Sequence, residues 1–192
     1  MLQNIIGELI VITVNFMSEE IFAVFDTSAS LSEMGKGRLC RNMIRTISQL
    51  PDKKFFYYSL GDELNEIQFD ENNDPDVKFK GKTNLCLLAE FLEHKISEQP
   101  ASNISCLLFT DAIYNHEQIT KLKHTIINNS KFLHIFVITL GLDANRDISS
   151  QLGIQSFECD NVLLAVDYAA AAMEGLLDST KIGVQNIKEL LS

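Results

Sequence analysis

Basic charge is scarce in this sequence: 16 Lys and Arg stand against 26 Asp and Glu, a formal net charge of −10. Such a surface is repelled by phosphate backbones and anionic headgroups before any specific contact forms. That excludes nonspecific binding to DNA, RNA or acidic lipid and favours cations or basic partners. Cysteine is sparse too. Cys40, Cys86, Cys106 and Cys159 lie far apart with no Cys-x-x-Cys pair among them, a pattern that fits buried free thiols in a reducing, cytoplasmic compartment. Internal repeats, low-complexity tracts and clear linkers are absent, and so is a membrane-length hydrophobic run. The N-terminal stretch IIGELIVITVNF is interrupted by Glu8 and falls far short of the roughly twenty residues needed to cross a bilayer. It also lacks the basic n-region and small-residue cleavage site of a signal peptide. Residues 1–19 are expected to be an extra strand or packing segment, with Met17 as an alternative start.

What is present is the material of an ordinary globular domain: 192 residues, 46% hydrophobic and 22% charged, enough to bury a core without disulfides. Three short runs are apolar on both parities: IFAVF, ISCLLF (Ile104 to Phe109) and FLHIFVITL (Phe132 to Leu140). Continuous apolarity of that length predicts strands buried on both faces, as in a parallel sheet covered by helices. Helical spacing follows in between, with Leu39, Met43, Ile47 and Leu50, then Leu85, Leu88, Phe91 and Leu92, then Ile119, Leu122 and Ile126. The alternation predicts a three-layer, doubly wound, Rossmann-like α/β sheet.

KKFFYYSLGDELNEIQF reads as an edge hairpin turning at Gly61-Asp62, and DENNDPDVKFKGK as a solvated loop whose acids miss the spacing of a calcium loop. GLDANRDISSQLGIQ reads as another loop, followed by a short strand near Phe157 and a closing helix over NVLLAVDYAAAAMEGLL. The domain is placed at 20–178, and 179–192 is expected to be an amphipathic tail helix carrying Ile182, Ile187 and Leu190.

In open α/β sheets ligands bind beyond the carboxyl ends of the strands. Asp26 ends the first buried strand and Asp111 ends CLLFTD, so neighbouring strands would bring the two acids together. Two such carboxylates repel unless a proton or cation lies between them. Ser28 and Ser30 follow Asp26 at alternate positions, and Thr83 sits just before a helix, where its hydroxyl can cap that helix or bind a ligand. Oxygen donors without His or Cys favour Mg²⁺, with Mn²⁺ or Ca²⁺ as substitutes. Lys36 in MGKGRL lacks the phosphate-loop spacing and is expected in a solvated loop. His94, His116, His124 and His134 show no zinc-site spacing.

Asp26-Thr27-Ser28-Ala29-Ser30, Thr83 and Asp111 together resemble the metal-ion-dependent adhesion site of von Willebrand factor A domains, whose pattern is Asp-x-Ser-x-Ser, a distant Thr and a distant Asp. The resemblance runs from about Glu20 to Leu177. It implies a six-stranded sheet of order 3-2-1-4-5-6 with one antiparallel edge strand. Ser28, Ser30 and Thr83 would contact the metal through hydroxyls, with Asp26 and Asp111 binding directly or through water and a partner protein's Glu or Asp filling the sixth position. The sequence departs from the family at two glycines, replaced by Ala29 and Ala112, which puts the loop geometry there in question.

The function implied is a metal-dependent protein-protein interaction module, not an enzyme, similar to small standalone bacterial members encoded within stress-response and phage-defence systems. Two alternatives stand beside it. One is a Mg²⁺-dependent phosphohydrolase with Asp26 as nucleophile, although Ser28 occupies the position where such enzymes carry a second Asp. The other is a metal-independent scaffold.

Overall fold

A computed structural model describes residues 20–177 apart from positions 52, 71, 73 and 101. The expected N-terminal segment 1–19 and the tail helix 179–192 lie outside the described residues. In chain order the elements are β1 (Glu20–Asp26), α1 (Lys36–Ser48), β2 (Lys54–Leu60), β3 (Leu64–Glu66), α2 (Leu85–Glu98), β4 (Ile104–Thr110), α3 (His116–Asn128), β5 (Leu133–Thr139), α4 (Ile148–Leu152), β6 (Gln155–Glu158) and α5 (Val162–Met173). The six strands make one sheet in the order β3-β2-β1-β4-β5-β6. Every neighbouring pair is parallel except β2 with β3.

The three unbroken apolar runs form β1, β4 and β5, the strands with helices on both faces. Side chains alternate across a strand, so Ile21, Ala23 and Phe25 enter one core with α1 and α5. Phe22 and Val24 enter the other, with α2, α3 and α4. Helical spacing selects the buried residues as expected: Met43 and Ile47 on α1, Leu85, Leu88 and Leu92 on α2, Leu122 and Ile126 on α3. No helix among the described residues is long and apolar enough to cross a membrane.

Three expectations change in detail. The exposed arm of the hairpin is only three residues long; beyond it the Ile67 N–H still donates to Tyr57 O at 2.8 Å, and a bridge joins Phe69 to Pro75. The loop beyond it is not fully solvated, because Pro75 and Val77 are buried. The stretch after Gly141 contains α4, whose Ile148 and Leu152 pack beneath the sheet's second core.

All four cysteines are free, but only Cys40 and Cys106 are buried, while Cys86 and Cys159 are partly buried. Burial pushes the thiols of Cys40 and Cys106 far above their ordinary range, and the thiolate is the reactive form. Iodoacetamide should therefore label Cys86 and Cys159 in the native protein and all four in denaturant. Native labelling of Cys40 or Cys106, read by mass spectrometry, would contradict this packing.

Candidate metal centre

β1 and β4 run side by side with Phe25 opposite Phe109. The next residues, Asp26 and Thr110, therefore come abreast at the carboxyl edge, with Asp111 one step beyond. Asp26 is 1% exposed, and each of its oxygens is an acceptor. Oδ1 accepts the Ser28 N–H at 2.8 Å and the Thr83 hydroxyl. Oδ2 accepts the Thr110 hydroxyl at 2.8 Å and faces the Tyr114 hydroxyl at 3.3 Å. Tyr114 also donates to Thr110 Oγ1 at 2.6 Å, and the same oxygen accepts the Ala112 N–H at 2.7 Å. Ser28 Oγ lies 3.0 Å from Ser30 Oγ. Burial raises the pKa of Asp26 above its ordinary 3.8, outweighing the hydrogen bonds from Thr83, Ser28 and Thr110 that would lower it.

Backbone contacts hold these donors together. The Ser28–Ser30 loop bends into a short 3₁₀ turn (Ala29–Ser32), and the Ala29 N–H donates to Gly81 O at 3.2 Å, tying it to the segment that carries Thr83. The cap of α2 is Asn84, whose side chain accepts the Cys86 N–H at 3.0 Å. Thr83 is thereby released from capping and turns its hydroxyl to Asp26.

The two alanines differ in consequence. Ala29 is exposed at the start of a right-handed turn, where a side chain costs nothing. Ala112 is fully buried and keeps the left-handed conformation, φ 60°. Changing Ala112 to Gly would relieve about 1–2 kcal/mol of backbone strain. It would lose about 0.4–1 kcal/mol to unfolded-chain entropy and about 0.8 kcal/mol of methyl burial. Ala112→Gly is thus expected to shift stability by less than about 1 kcal/mol in urea denaturation. A larger loss would mean that the methyl group matters more than the strain.

Lys36 overturns its expectation. It is not in a solvated loop but is the first residue of α1, 3% exposed. Its ammonium lies 3.1 Å from Asp111 Oδ2 and 2.8 Å from Asp143 Oδ2. Burial would lower the Lys36 pKa, but the hydrogen bonds to Asp143 and Asp111 outweigh it and raise the value. The hydrogen bond from Lys36 holds the Asp143 carboxyl below its ordinary range.

Asp26, Ser28, Ser30 and Thr83 thus form one hydrogen-bonded cluster, while Asp111 stands on the adjoining strand end, held by Lys36. Thr110, Tyr114, Lys36 and Asp143 were not expected from sequence. Thr110 alone carried a local signal, as the hydroxyl residue between the apolar run ISCLLF and Asp111. Among the described residues no three His, Cys, Asp or Glu side chains gather as a metal cluster, so a cation here depends on hydroxyl oxygens. The donor set fits a small hard ion: neighbouring ligands of an octahedral Mg²⁺ lie about 3 Å apart, given bonds of about 2.1 Å, and the Ser28 and Ser30 oxygens have that separation.

The strand order, the helices on both faces and the hydroxyl-rich strand end define a von Willebrand factor A fold. No protein-family profile matches the chain, and no curated protein matches it. Solved structures do. A von Willebrand factor type A protein from Catenulispora acidiphila matches with TM-score 0.59 and 12% identity over 80% of this chain and 42% of its own. BatB from Bacteroides thetaiotaomicron matches with TM-score 0.58 and 10% identity, covering 81% of this chain and 98% of that one. Proximal thread matrix protein 1 of the mussel byssus, solved with a zinc-occupied MIDAS motif, matches with TM-score 0.54 and 15% identity over 78% of this chain and 44% of its own. The chain spans less than half the length of the Catenulispora and mussel proteins.

Proposed function

We propose that this chain is a binding module, not an enzyme, that captures a Glu or Asp of a partner protein through a divalent cation, Mg²⁺ in the first instance. Asp26, Ser28, Ser30, Thr83 and Asp111 would hold the ion, which would supply an electrophilic position for the partner's carboxylate. The observation that carries this reading is the buried Asp26 carboxylate, ringed by hydroxyls with no His, Asp or Glu among its hydrogen-bond partners. A phosphohydrolase using Asp26 would need a general acid at that point.

The surroundings suit a protein partner. Met34, Ile113 and Leu142 are 78%, 63% and 92% exposed. They lie on the loops after β1, β4 and β5, parallel strands whose carboxyl ends share one edge. Apolar side chains around a charged centre are the composition of an interface, where desolvation strengthens the central contact. The acidic balance and free thiols support a cytoplasmic setting, and the resemblance supports a regulatory or adaptor role in a bacterial multi-protein system.

Calorimetric titration of the purified chain with MgCl₂ or MnCl₂ tests the metal, and a pull-down with and without EDTA tests the partner. The reading expects saturable metal binding and a partner lost in EDTA. Absence of metal binding dependent on Asp26 and Asp111 would overturn it.

A further inference from the structure

We infer that Lys36 is a resident cation that shares Asp111 with the divalent metal and thereby sets how tightly the metal is held. The inference rests on the metal-binding reading above and concerns this chain's own lysine. Lys36 occupies an expensive position. It is 3% exposed, and it sits in the first turn of α1, where the helix dipole favours acids and disfavours an ammonium. A buried charge there persists only if it is paired, and both partners are acids at the site edge: Asp111, itself 1% exposed, and Asp143, 46% exposed on the loop after β5.

The approach path is built for this side chain. Gly141 has φ 96°, and a Cβ there would lie 2.9 Å from Lys36 Cε. A side chain at 141 would crowd both the lysine stem and the Asp143 carboxylate, which lies 2.9 Å from the same point. Asp111 is also the only carboxylate of the cluster, apart from Asp26, that a metal would use.

A divalent ion reaching Asp111 therefore meets an ammonium already hydrogen-bonded to Oδ2 of that carboxylate. Like charges at such range repel, and little solvent remains to screen them. Metal entry would shift Lys36 away from Asp111 and leave it on Asp143. Asp143 then acts as a fallback for the displaced charge, although it lies outside the ligand set. Apart from metal binding, the same pair keeps Asp111 neutralised, so the strand end tolerates two buried acids without a bound ion.

The test is titration of the full chain with MgCl₂ by calorimetry at physiological ionic strength, comparing wild type, Lys36→Met and Asp143→Asn, with thermal melts in EDTA and in Mg²⁺. Lys36→Met keeps the apolar stem and removes the charge. It is expected to bind Mg²⁺ about tenfold more tightly, to melt lower in EDTA, and to gain more from Mg²⁺ than wild type does. Asp143→Asn removes the fallback and is expected to weaken Mg²⁺ binding severalfold. If Lys36→Met does not fold, the half-exposed Asp143→Asn decides, and unchanged affinity overturns the inference. Equal or weaker affinity in a folded Lys36→Met overturns it while leaving the metal reading intact. If no form of the chain binds metal, both fall. Binding that appears only in Lys36→Met overturns the metal reading for the wild type and with it the sharing of Asp111.

Discussion

Asp26→Asn is expected to lower Mg²⁺ affinity at least 100-fold while costing the metal-free fold about 1–3 kcal/mol through the hydrogen bond lost at Thr110. Asn keeps the shape and still accepts from Ser28 and Thr83 at Oδ1, but its NH₂ replaces the oxygen that accepts the Thr110 hydroxyl, so that buried donor loses its acceptor. It also removes the charge, which burial already disfavours. In wild type, Mg²⁺ at 100 times its Kd should add about 2.7 kcal/mol by mass action, a rise in Tm of about 5–10 °C for a domain of this size. The variant should show none. The sign of the pH effect follows from the raised pKa. The folded state holds its proton to higher pH than the unfolded chain, so this stability contribution is present below the ordinary value near 3.8 and lost as pH rises through the folded-state value. Metal-free wild type should therefore lose stability upward from that point, and Asp26→Asn should flatten the slope. Retention of a Mg²⁺-dependent melting shift in the variant would show that the ion does not bind here.

Phe25→Ala is expected to cost about 3–5 kcal/mol, a large share of the about 5–15 kcal/mol that holds a typical domain together. Phe25 and Phe109 are both fully buried, and their rings stack at 4.2 Å between centroids with 14° between planes. Each immediately precedes a strand end that serves the site, Asp26 on β1 and Thr110 on β4, with Asp111 just beyond. Loss of the stack leaves a cavity directly beneath the donors, so metal affinity should fall along with the urea midpoint. Leu163→Ala, on an exposed part of α5, is the control and should move stability by no more than about 0.5 kcal/mol. A loss of less than about 1 kcal/mol in Phe25→Ala would contradict the packing.

Much of this was legible in the chain because burial and periodicity are local. IFAVF, ISCLLF and FLHIFVITL are apolar on both parities because helices cover both faces of β1, β4 and β5, and that requirement is written residue by residue. Asp26 and Asp111 were legible for the same reason: each is the first acid after such a run, so its place at the carboxyl edge follows from the strand. The weaker expectations failed where local pattern and tertiary use diverge. Leu64 to Phe69 alternates like a strand, yet only Leu64–Glu66 forms the paired arm of the hairpin. Lys36 has a loop-like neighbourhood of glycines, yet it is the buried start of a helix.

By itself the sequence determined the doubly wound architecture, the edge hairpin and the residue types available at the first strand end. It also determined that any metal there would be bound by oxygen. Tertiary structure decided how those residues are used: that Thr83 serves Asp26 and Asn84 caps the helix, that Thr110 and Tyr114 complete the ring around Asp26, and that Ala112 keeps a left-handed backbone. It also decided that Asp111 is claimed by a lysine 75 positions away, whose ammonium it shares with an acid 107 positions from that lysine. The physical reason is range. Hydrophobic periodicity repeats within a few residues, whereas the pairing of charges across three strand ends depends on sheet register, which no local stretch of chain contains.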